Sequence, residues 1–150
     1  LEWVRGNGYQ MVDDIAHNQA GLSCVFKTIN GMDYKDLHIL IGIDSEDKMQ
    51  TNINKAYSLY NEIEILDNIN LITSCSMEFI DGENLYCNKN AMAFHNIFKK
   101  NNIRFRHEEY LKEAVKMLIS FVKEGDLILL LGESGMDQAA ALVKEGLKLK

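Results

Sequence analysis

The apolar positions of this chain follow two alternating patterns, short runs typical of strands and longer segments with helical spacing. Short apolar runs rich in branched residues predict buried strands. On this basis we predict strands at YQMVDDI (9–15), LHILIGI (37–43), NLITSC (70–75), IRFRH (103–107) and DLILLLG (126–132). Asn7 and Gly8 lie between EWVR and YQMVDDI. Because both residues accept positive φ, they predict a hairpin at the start of the chain.

Segments with apolar residues three and four positions apart predict the helices that follow these strands. They cover residues 19–29, 54–66, 90–100, 108–123 and 136–145, and the stretch 76–89 is predicted to be a loop. Gly31 and Gly125 are placed to end the first and fourth helices. Regular alternation of strand and helix predicts one α/β domain over residues 1–150. Its sheet is expected to be Rossmann-like and mostly parallel, with helices on both faces and an N-terminal β-hairpin.

The charge of the chain narrows the classes of partner. The 150 residues carry a net charge of −6, whereas binding to nucleic-acid phosphates requires clustered Lys and Arg. The most basic tract is short and close to acids, and consists of Lys99, Lys100, Arg104 and Arg106. No apolar run approaches the roughly 18 residues of a membrane span, and LEWVRGNGYQ lacks the pattern of a signal peptide. We therefore predict no nucleic-acid partner and no membrane segment.

The number and spacing of the cysteines indicate the cellular compartment of the protein. Cys24, Cys75 and Cys87 are odd in number and form no CxxC pair, so a disulfide framework or a zinc site is disfavoured. Three free thiols are typical of a reducing environment. The cysteine pattern therefore predicts a cytoplasmic protein.

The polar residues that follow each strand are the candidates for a functional site, because ligands of open parallel sheets bind beyond the carboxyl ends of the strands. These residues are Asp13, Asp14, His17, Asn18, Asp44, Ser45, Glu46, Asp47, Lys48, Thr73, Ser74, Ser76, Glu133, Ser134, Asp137 and Gln138. We predict that they line a common rim.

The stretch DDIAHN (13–18) combines carboxylates and an imidazole at a strand end. His17 and Asn18 precede a predicted helix whose first backbone N–H groups lack partners, an arrangement that can receive phosphate or carboxylate. In that interpretation Asp14 accepts hydrogen bonds from ribose hydroxyls, and His17 donates to an anionic or acyl oxygen. The alternative is structural, because Asn is a good N-cap and an acid near a helix start interacts favourably with the helix dipole.

The stretch LLGESGMDQAA (130–140) offers a similar choice. Gly132 and Gly135 allow the backbone to approach a ligand closely, but Ser134 or Asp137 could instead cap the last helix. Met92, Met117 and Met136 are interpreted as core filler. No GxGxxG or GxxxxGK[ST] motif occurs in the sequence, so the chain carries no complete nucleotide-phosphate loop of its own.

Two stretches carry a family resemblance, GNGYQMVDDIAHNQAG near the start and EEYLKEAVKMLISFVKEGDLILLLGESGMDQ near the end. They resemble the C-terminal domain of the Mur ligase superfamily. That superfamily includes the ATP-dependent ligases of peptidoglycan synthesis, folylpolyglutamate synthase and the ligase module of cyanophycin synthetase. The positions that match the family pattern are Asp13, Asp14, Ala16, His17 and Asn18. Gln19 stands where the family usually has Pro, and SGMDQ (134–138) is similar to the ending of the glutamate-adding branch.

The middle of the chain departs from the family. IGIDSEDKMQTN (41–52) has no Gly-Gly-Asp-Arg run, and TSCSMEF (73–79) has no Asn-Pro-Arg motif of the diaminopimelate-adding enzymes. These departures put the known substrate assignments in doubt for this chain.

The resemblance implies that this chain is part of a longer, three-domain enzyme and closes over a central domain that holds the phosphate loop, Mg²⁺ and a carbamylated lysine. In the implied reaction, ATP converts a carboxylate acceptor into an acyl phosphate, which the amine of an amino acid attacks to give an amide. By resemblance, Asp13, Asp14, His17 and Asn18 face ATP and substrate, and Ser134 and Asp137 are candidates to bind the incoming amino acid. No catalytic set is complete in this chain, no metal ligand is assigned to it, and the isolated domain is expected to be inactive.

Two other functions stay open at this level. A non-catalytic α/β ligand-binding or regulatory module has the same expected fold, since fold does not imply function. A self-contained hydrolase is a weaker alternative, because it requires a nucleophile and base pair, and the sequence has no GxSxG nucleophile elbow.

Overall fold

The computed structural model describes residues 2–6, 8–44, 49–79, 85–133 and 135–148, with the backbone alone for residues 2–6 and 85–88. The strands within these residues are β1 (Glu2–Gly6), β2 (Tyr9–Asp14), β3 (Leu37–Gly42), β4 (Ile69–Ser74), β5 (Arg106–Glu108) and β6 (Leu127–Leu131). They form a single sheet in the order β1-β2-β6-β3-β4-β5. β1 pairs antiparallel with β2, and the other neighbouring strands are parallel, which confirms the predicted sheet and its N-terminal hairpin.

Helices cover both faces of this sheet, as predicted. They are α1 (Gln19–Asn30), α2 (Met49–Ile63), α3 (Leu85–Lys100), α4 (Leu111–Phe121) and α5 (Ala139–Lys148). Successive strand residues point to opposite faces, so Leu127 and Leu129 of β6 pack with α1, α2 and α3, whereas Ile128 and Leu130 pack with α4 and α5. The central strands are buried on both faces and therefore read as continuous apolar runs.

The boundaries of several elements differ from the prediction. α2 begins at Met49 and α3 at Leu85, so the predicted loop 76–89 is wrong in its second part. The first turns of these helices lack the apolar spacing on which the prediction was based. β5 has three residues, because Ile103 and Phe105 pack against the core under α1–α3 instead of pairing with β4.

The cysteines contradict the predicted set of three free thiols. Cys24 is free and exposed, whereas Cys75 is buried and disulfide-bonded, with a partner outside the described side chains. The cytoplasmic location that the free thiols supported stays a prediction. In the part of the chain that the structure describes, no helix is long and apolar enough to cross a membrane.

The start of α4 is capped from a distant part of the chain. Tyr110, its N-cap residue, makes no capping bond with its side chain. Instead, the Glu78 carboxylate accepts hydrogen bonds from the backbone N–H groups of Leu111 and Lys112. A carboxylate at this position satisfies two N–H groups that have no intrahelical partner and interacts favourably with the helix dipole.

Glu78→Ala is therefore expected to lower the free energy of unfolding by about 1 kcal/mol, the usual cost of losing an N-cap, as measured by urea denaturation. Glu113→Ala is the matched control. Glu113 lies in the first turn of the same helix, but its exposed carboxylate pairs only with Lys116 among the described side chains, and exposed pairs of this kind contribute little. Equal losses in the two variants would contradict the capping role of Glu78.

Candidate functional site

The order of the strands creates a crevice at the carboxyl end of β6. After β2 and β3 the chain enters α1 and α2 on one face, whereas after β6 it enters α5 on the other face. β6 lies between β2 and β3, so neighbouring connections leave the sheet in opposite directions. Ligands of open α/β sheets bind at such a switch point. The residues that follow these three strands therefore form the candidate site.

The two aspartates at the end of β2 lie on opposite faces of the sheet. Met11 packs in the core under α4 and α5, and Val12 in the core under α1–α3. Because side chains alternate along a strand, Asp13 lies on the α4–α5 face and Asp14 on the α1–α3 face. Asp14 Oδ1 accepts a hydrogen bond from the backbone N–H of Ala16 at 2.8 Å. The two carboxylates are thus separated by the sheet and do not form an acid–base pair.

His17 and Glu133 bring the loops after β2 and β6 together. Nδ1 of His17 lies 3.0 Å from Oε1 of Glu133 and 3.2 Å from the backbone oxygen of Ile15. Because both neighbours are acceptors, we assign a proton to Nδ1, which leaves Nε2 on the other side of the ring for a ligand. The two side chains are 47% and 45% exposed, so a molecule at the rim can reach them.

Asn18 and Gln19 set the start of α1. Oδ1 of Asn18 accepts the backbone N–H of Gly21 at 2.9 Å, which confirms the capping interpretation of Asn18. A contact between Asn18 and a ligand stays a prediction. The Gln19 side chain donates to Glu62 at 2.9 Å and accepts from Asn61 at 3.0 Å. Where the family usually has Pro, this chain therefore has a side chain that ties α1 to α2.

Met136 fills the space between the carboxyl ends of β6 and β3, which confirms its interpretation as core filler. Met92 is 65% exposed, so the same interpretation is wrong for Met92. A Cβ at Gly42 would lie 2.5 Å from Cγ of Met136, and one at Gly132 would lie 2.9 Å from the same atom. The side chain is 4% exposed, and its sulfur lies 3.7 Å from Oγ of Ser76. Met136 packs between the carboxyl ends of β3 and β6 and does not belong to the helix, so α5 begins at Ala139.

A buried polar cluster lies beneath the loop after β3. Nδ2 of Asn52 and Nδ2 of Asn90 donate to the backbone oxygen of Asp44 at 2.8 and 3.2 Å, and Nζ of Lys55 donates to the backbone oxygen of Gly42 at 2.7 Å. Asn52 and Lys55 are polar residues on the buried stripe of α2. Asn52 and Lys55 were not among the predicted site residues, although polar residues on a buried helix stripe are a signal for such a cluster.

The predicted rim is formed only in part. Thr73, Ser74 and Ser76 are buried beneath the edge, so the prediction that they line the rim is wrong, because β4 and the turn after it are covered on both faces. Asp137 and Gln138 are exposed in the turn before α5, and their contact with a ligand stays a prediction. Ser134 and residues 45–48 lie outside the described residues.

Two histidines flank one buried hydroxyl beside β4 and β5, the last two strands of the sheet. Oγ1 of Thr73 lies 2.7 Å from Nε2 of His95 and 2.7 Å from Nδ1 of His107. Burial, with His107 and Lys99 nearby, lowers the pKa of His95 to about 4, and burial lowers the pKa of His107 as well. His95 also stacks on Phe105. The cluster is neutral and satisfied at neutral pH, so it acts as part of the packing.

His38 belongs to a buried hydrogen-bond network at the amino ends of the parallel strands, the end of the sheet opposite the candidate site. Its Nε2 lies 2.8 Å from Oδ2 of Asp126, and its Nδ1 lies 3.1 Å from Nδ2 of Asn70. Burial raises the pKa of Asp126, but hydrogen bonds from His38 and from the backbone N–H groups of Lys123 and Asp36 outweigh it and hold this pKa below its ordinary value. The network therefore stabilises the fold at neutral pH and loses that contribution as the pH falls through the lowered pKa.

Comparison with known proteins places this geometry in a family. The family model for the Mur ligase, glutamate ligase domain matches residues 1–134. The chain belongs to this family. A comparison with curated protein sequences gives no significant match.

Solved structures agree with the family on the fold. The structure of a UDP-N-acetylmuramoyl-L-alanyl-D-glutamate–2,6-diaminopimelate ligase matches with a TM-score of 0.75 and 13% identity over 99% of this chain and 31% of that chain. MurF ligase from Thermotoga maritima in complex with ADP matches with a TM-score of 0.61 and 15% identity over 98% and 30%. Folylpolyglutamate synthase from Mycobacterium tuberculosis, complexed with ADP and AMPPCP, matches with 0.57 and 21% over 88% and 28%. This chain thus spans about a third of each of these proteins.

Proposed function

We propose that this chain is the C-terminal domain of an ATP-dependent amide ligase, and that it closes over a central domain and helps to bind ATP and the incoming amino acid. The observation that carries the proposal is the meeting of His17 and Glu133 at the switch point of the sheet, beside Asp14 and the start of α1. The family supports the class of reaction, and the ADP complexes of two structural neighbours support ATP as the nucleotide.

Each residue of this site has a task that its geometry suits. The Ala16 N–H fixes the carboxylate of Asp14, which can accept hydrogen bonds from ribose hydroxyls. Nε2 of His17 can donate to a phosphate or acyl oxygen when the ring is protonated, and the neighbouring Glu133 then balances its charge. The first backbone N–H groups of α1 favour a negative group at the same place. Closure of the domain excludes water, which would otherwise hydrolyse an acyl phosphate.

The proposal assigns Mg²⁺ and the phosphate loop to the central domain. No group of three or more His, Cys, Asp or Glu side chains among the residues described here could hold a metal ion. Asp13 and Asp14 lie on opposite faces of the sheet and so offer no shared site. Bound in the central domain, Mg²⁺ would neutralise charge on the ATP phosphates, while this chain supplies positioning and closure.

Glutamate is the amino acid that the proposal names, with peptidoglycan synthesis in the cytoplasm as the setting. The SGMDQ stretch and the family description as a glutamate ligase domain support glutamate. Two structural neighbours are named as ligases of UDP-N-acetylmuramate derivatives, which supports the setting. The acceptor would then be a carboxylate of such a precursor.

The 150-residue chain alone is expected to release no ADP from ATP and Mg²⁺, because it has no phosphate loop. The full-length protein that contains this chain is expected to release ADP over many turnovers only when an acceptor and glutamate are both present. ATP and the acceptor carboxylate give ADP and the acyl phosphate, and the amine of glutamate must then attack the acyl phosphate, releasing inorganic phosphate and the amide, before the next turnover. A coupled assay for ADP, run on both proteins at the same concentration, measures this difference.

The control for this experiment is a full-length variant in which glycine replaces the lysine of the phosphate loop. This variant should be as inactive as the isolated chain. Clear Mg²⁺-dependent ADP release from the isolated chain would contradict the proposed division of labour. A full-length protein without any phosphate loop before this chain would instead favour a non-catalytic ligand-binding module.

A further inference from the structure

A cationic groove lies at the amino edge of the sheet, on the side opposite the proposed ligase site. It has a volume of about 950 Å³ and runs between the start of β4, the segment before β5 and the ends of α3 and α4. The charged side chains that line it are Lys99, Arg104, Arg106, Lys123 and one acid, Asp36. Four cations face one carboxylate here, in a chain whose net charge is −6.

The ends of two helices explain only half of this charge. Lys99 lies in the last turn of α3, and Lys123 follows the end of α4. Cations at these places interact favourably with the helix dipoles. Arg104 and Arg106 lie in the segment that forms β5 and its approach, where no helix ends. Interactions with helix dipoles therefore do not explain the two arginines.

Arg106 is held in place before any ligand arrives. Its guanidinium carbon lies 4.5 Å from the centre of the Phe121 ring, and its Nη1 donates to Oδ1 of Asn70 at 3.3 Å. Stacking on an aromatic face orients the planar guanidinium, and the bond to Asn70 uses only one of its N–H groups. Such an oriented fork suits the paired oxygens of phosphate.

The four cations of the groove have no carboxylate within ion-pair distance among the described residues. Like charges gathered in one groove repel one another, and a bound anion would remove this repulsion.

We propose that this groove binds a small phosphorylated molecule, through the guanidinium groups of Arg104 and Arg106 and the ammonium groups of Lys99 and Lys123. A volume of about 950 Å³ falls within the range of small-molecule pockets, roughly 300–1,000 Å³. A nucleic acid fits less well, because it needs a longer basic track than these four residues provide. This site is separate from the proposed ligase site and does not depend on it.

The test is a titration of the 150-residue chain with pyrophosphate at low salt, followed by isothermal calorimetry and by amide chemical shifts. The chain contains the sheet and the helices that cover both of its faces. Binding is expected to shift the amides of Asn70 and Arg106 and to leave those of Gly21 and Gly132, at the other edge, unchanged. The double variant Arg104→Gln/Arg106→Gln is expected to weaken binding at least tenfold.

Lys27→Gln/Lys112→Gln is the matched control, since it removes the same charge from exposed residues outside the groove and should change the affinity less than threefold. The single variant Arg104→Gln, which leaves the Phe121 stack intact, should weaken binding by an intermediate amount. Equal losses in both double variants, or shifts centred on Gly21 and Gly132, would overturn the proposal. Tighter binding of a twelve-residue single-stranded DNA than of pyrophosphate, lost in the groove variants, would assign the groove to nucleic acid instead.

Discussion

His17→Ala in the full-length protein is expected to lower kcat/KM for amide formation roughly tenfold to a hundredfold. The variant removes the one imidazole at the switch point, and the loss of a positioned donor to a developing negative charge commonly costs this much or more. It also frees Glu133, whose carboxylate would then repel the phosphates of ATP. Initial rates of ADP release and product formation, measured across a range of ATP and glutamate concentrations, give the effect.

Stability should be almost unchanged in the same variant. The His17 side chain is 47% exposed, and surface substitutions usually change the free energy of unfolding by less than about 0.5 kcal/mol. His17→Gln can place an amide N–H near the position of Nε2 and should recover part of the rate. Lys27→Ala, on the exposed side of α1, should behave as wild type. Full turnover in His17→Ala would remove this residue from the proposed site.

The sheet was predictable because each of its parallel strands is marked by a local pattern. Leu37–Gly42 and Leu127–Leu131 are buried on both faces, so their residues are apolar apart from His38, which is paired with Asp126. Helix boundaries were less predictable, because the first turn of α2 contains no buried apolar residue. The length of β5 was also not predictable. The alternating pattern in IRFRH indicates which side chains face the core, but not how many of these residues pair with a neighbouring strand.

The sequence predicted only those residues of the candidate site that directly follow a strand. The resemblance and the chain order placed Asp14, His17 and Asn18 at one edge, but the meeting of His17 with Glu133 requires β6 to lie beside β2. The pairing of β6 with β2 is a property of the sheet topology, and neither the sequence around His17 nor the sequence around Glu133 contains a local signal for it. The same reason explains why Glu78 was missed as the cap of α4, since the two are joined only in three dimensions.

Gly132→Ala is expected to destabilise the chain by about 2–6 kcal/mol and to displace the loop that carries Glu133. Gly132 has a φ of +140°, a conformation that L residues rarely adopt. A Cβ there would lie 2.9 Å from Cγ of Met136 and 3.3 Å from the backbone nitrogen of Gly42. Backbone strain of roughly 1–3 kcal/mol and overpacking of about 1–3 kcal/mol together give this size. Urea denaturation of the 150-residue chain measures the loss.

Gly31→Ala is the matched control, because Gly31 has a φ of −85° and a Cβ there would meet only the backbone oxygen of Thr28 at 3.5 Å. It should be neutral or slightly stabilising. Combining Gly132→Ala with Met136→Ala should cost less than the sum of the two single changes, because the second change removes one clash and leaves the strain. Strict additivity would show that Met136 does not limit the space at Gly132. A Gly132→Ala chain as stable as wild type would mean that the turn after β6 can adopt another backbone conformation, and that the position of Glu133 beside His17 is not fixed by this glycine.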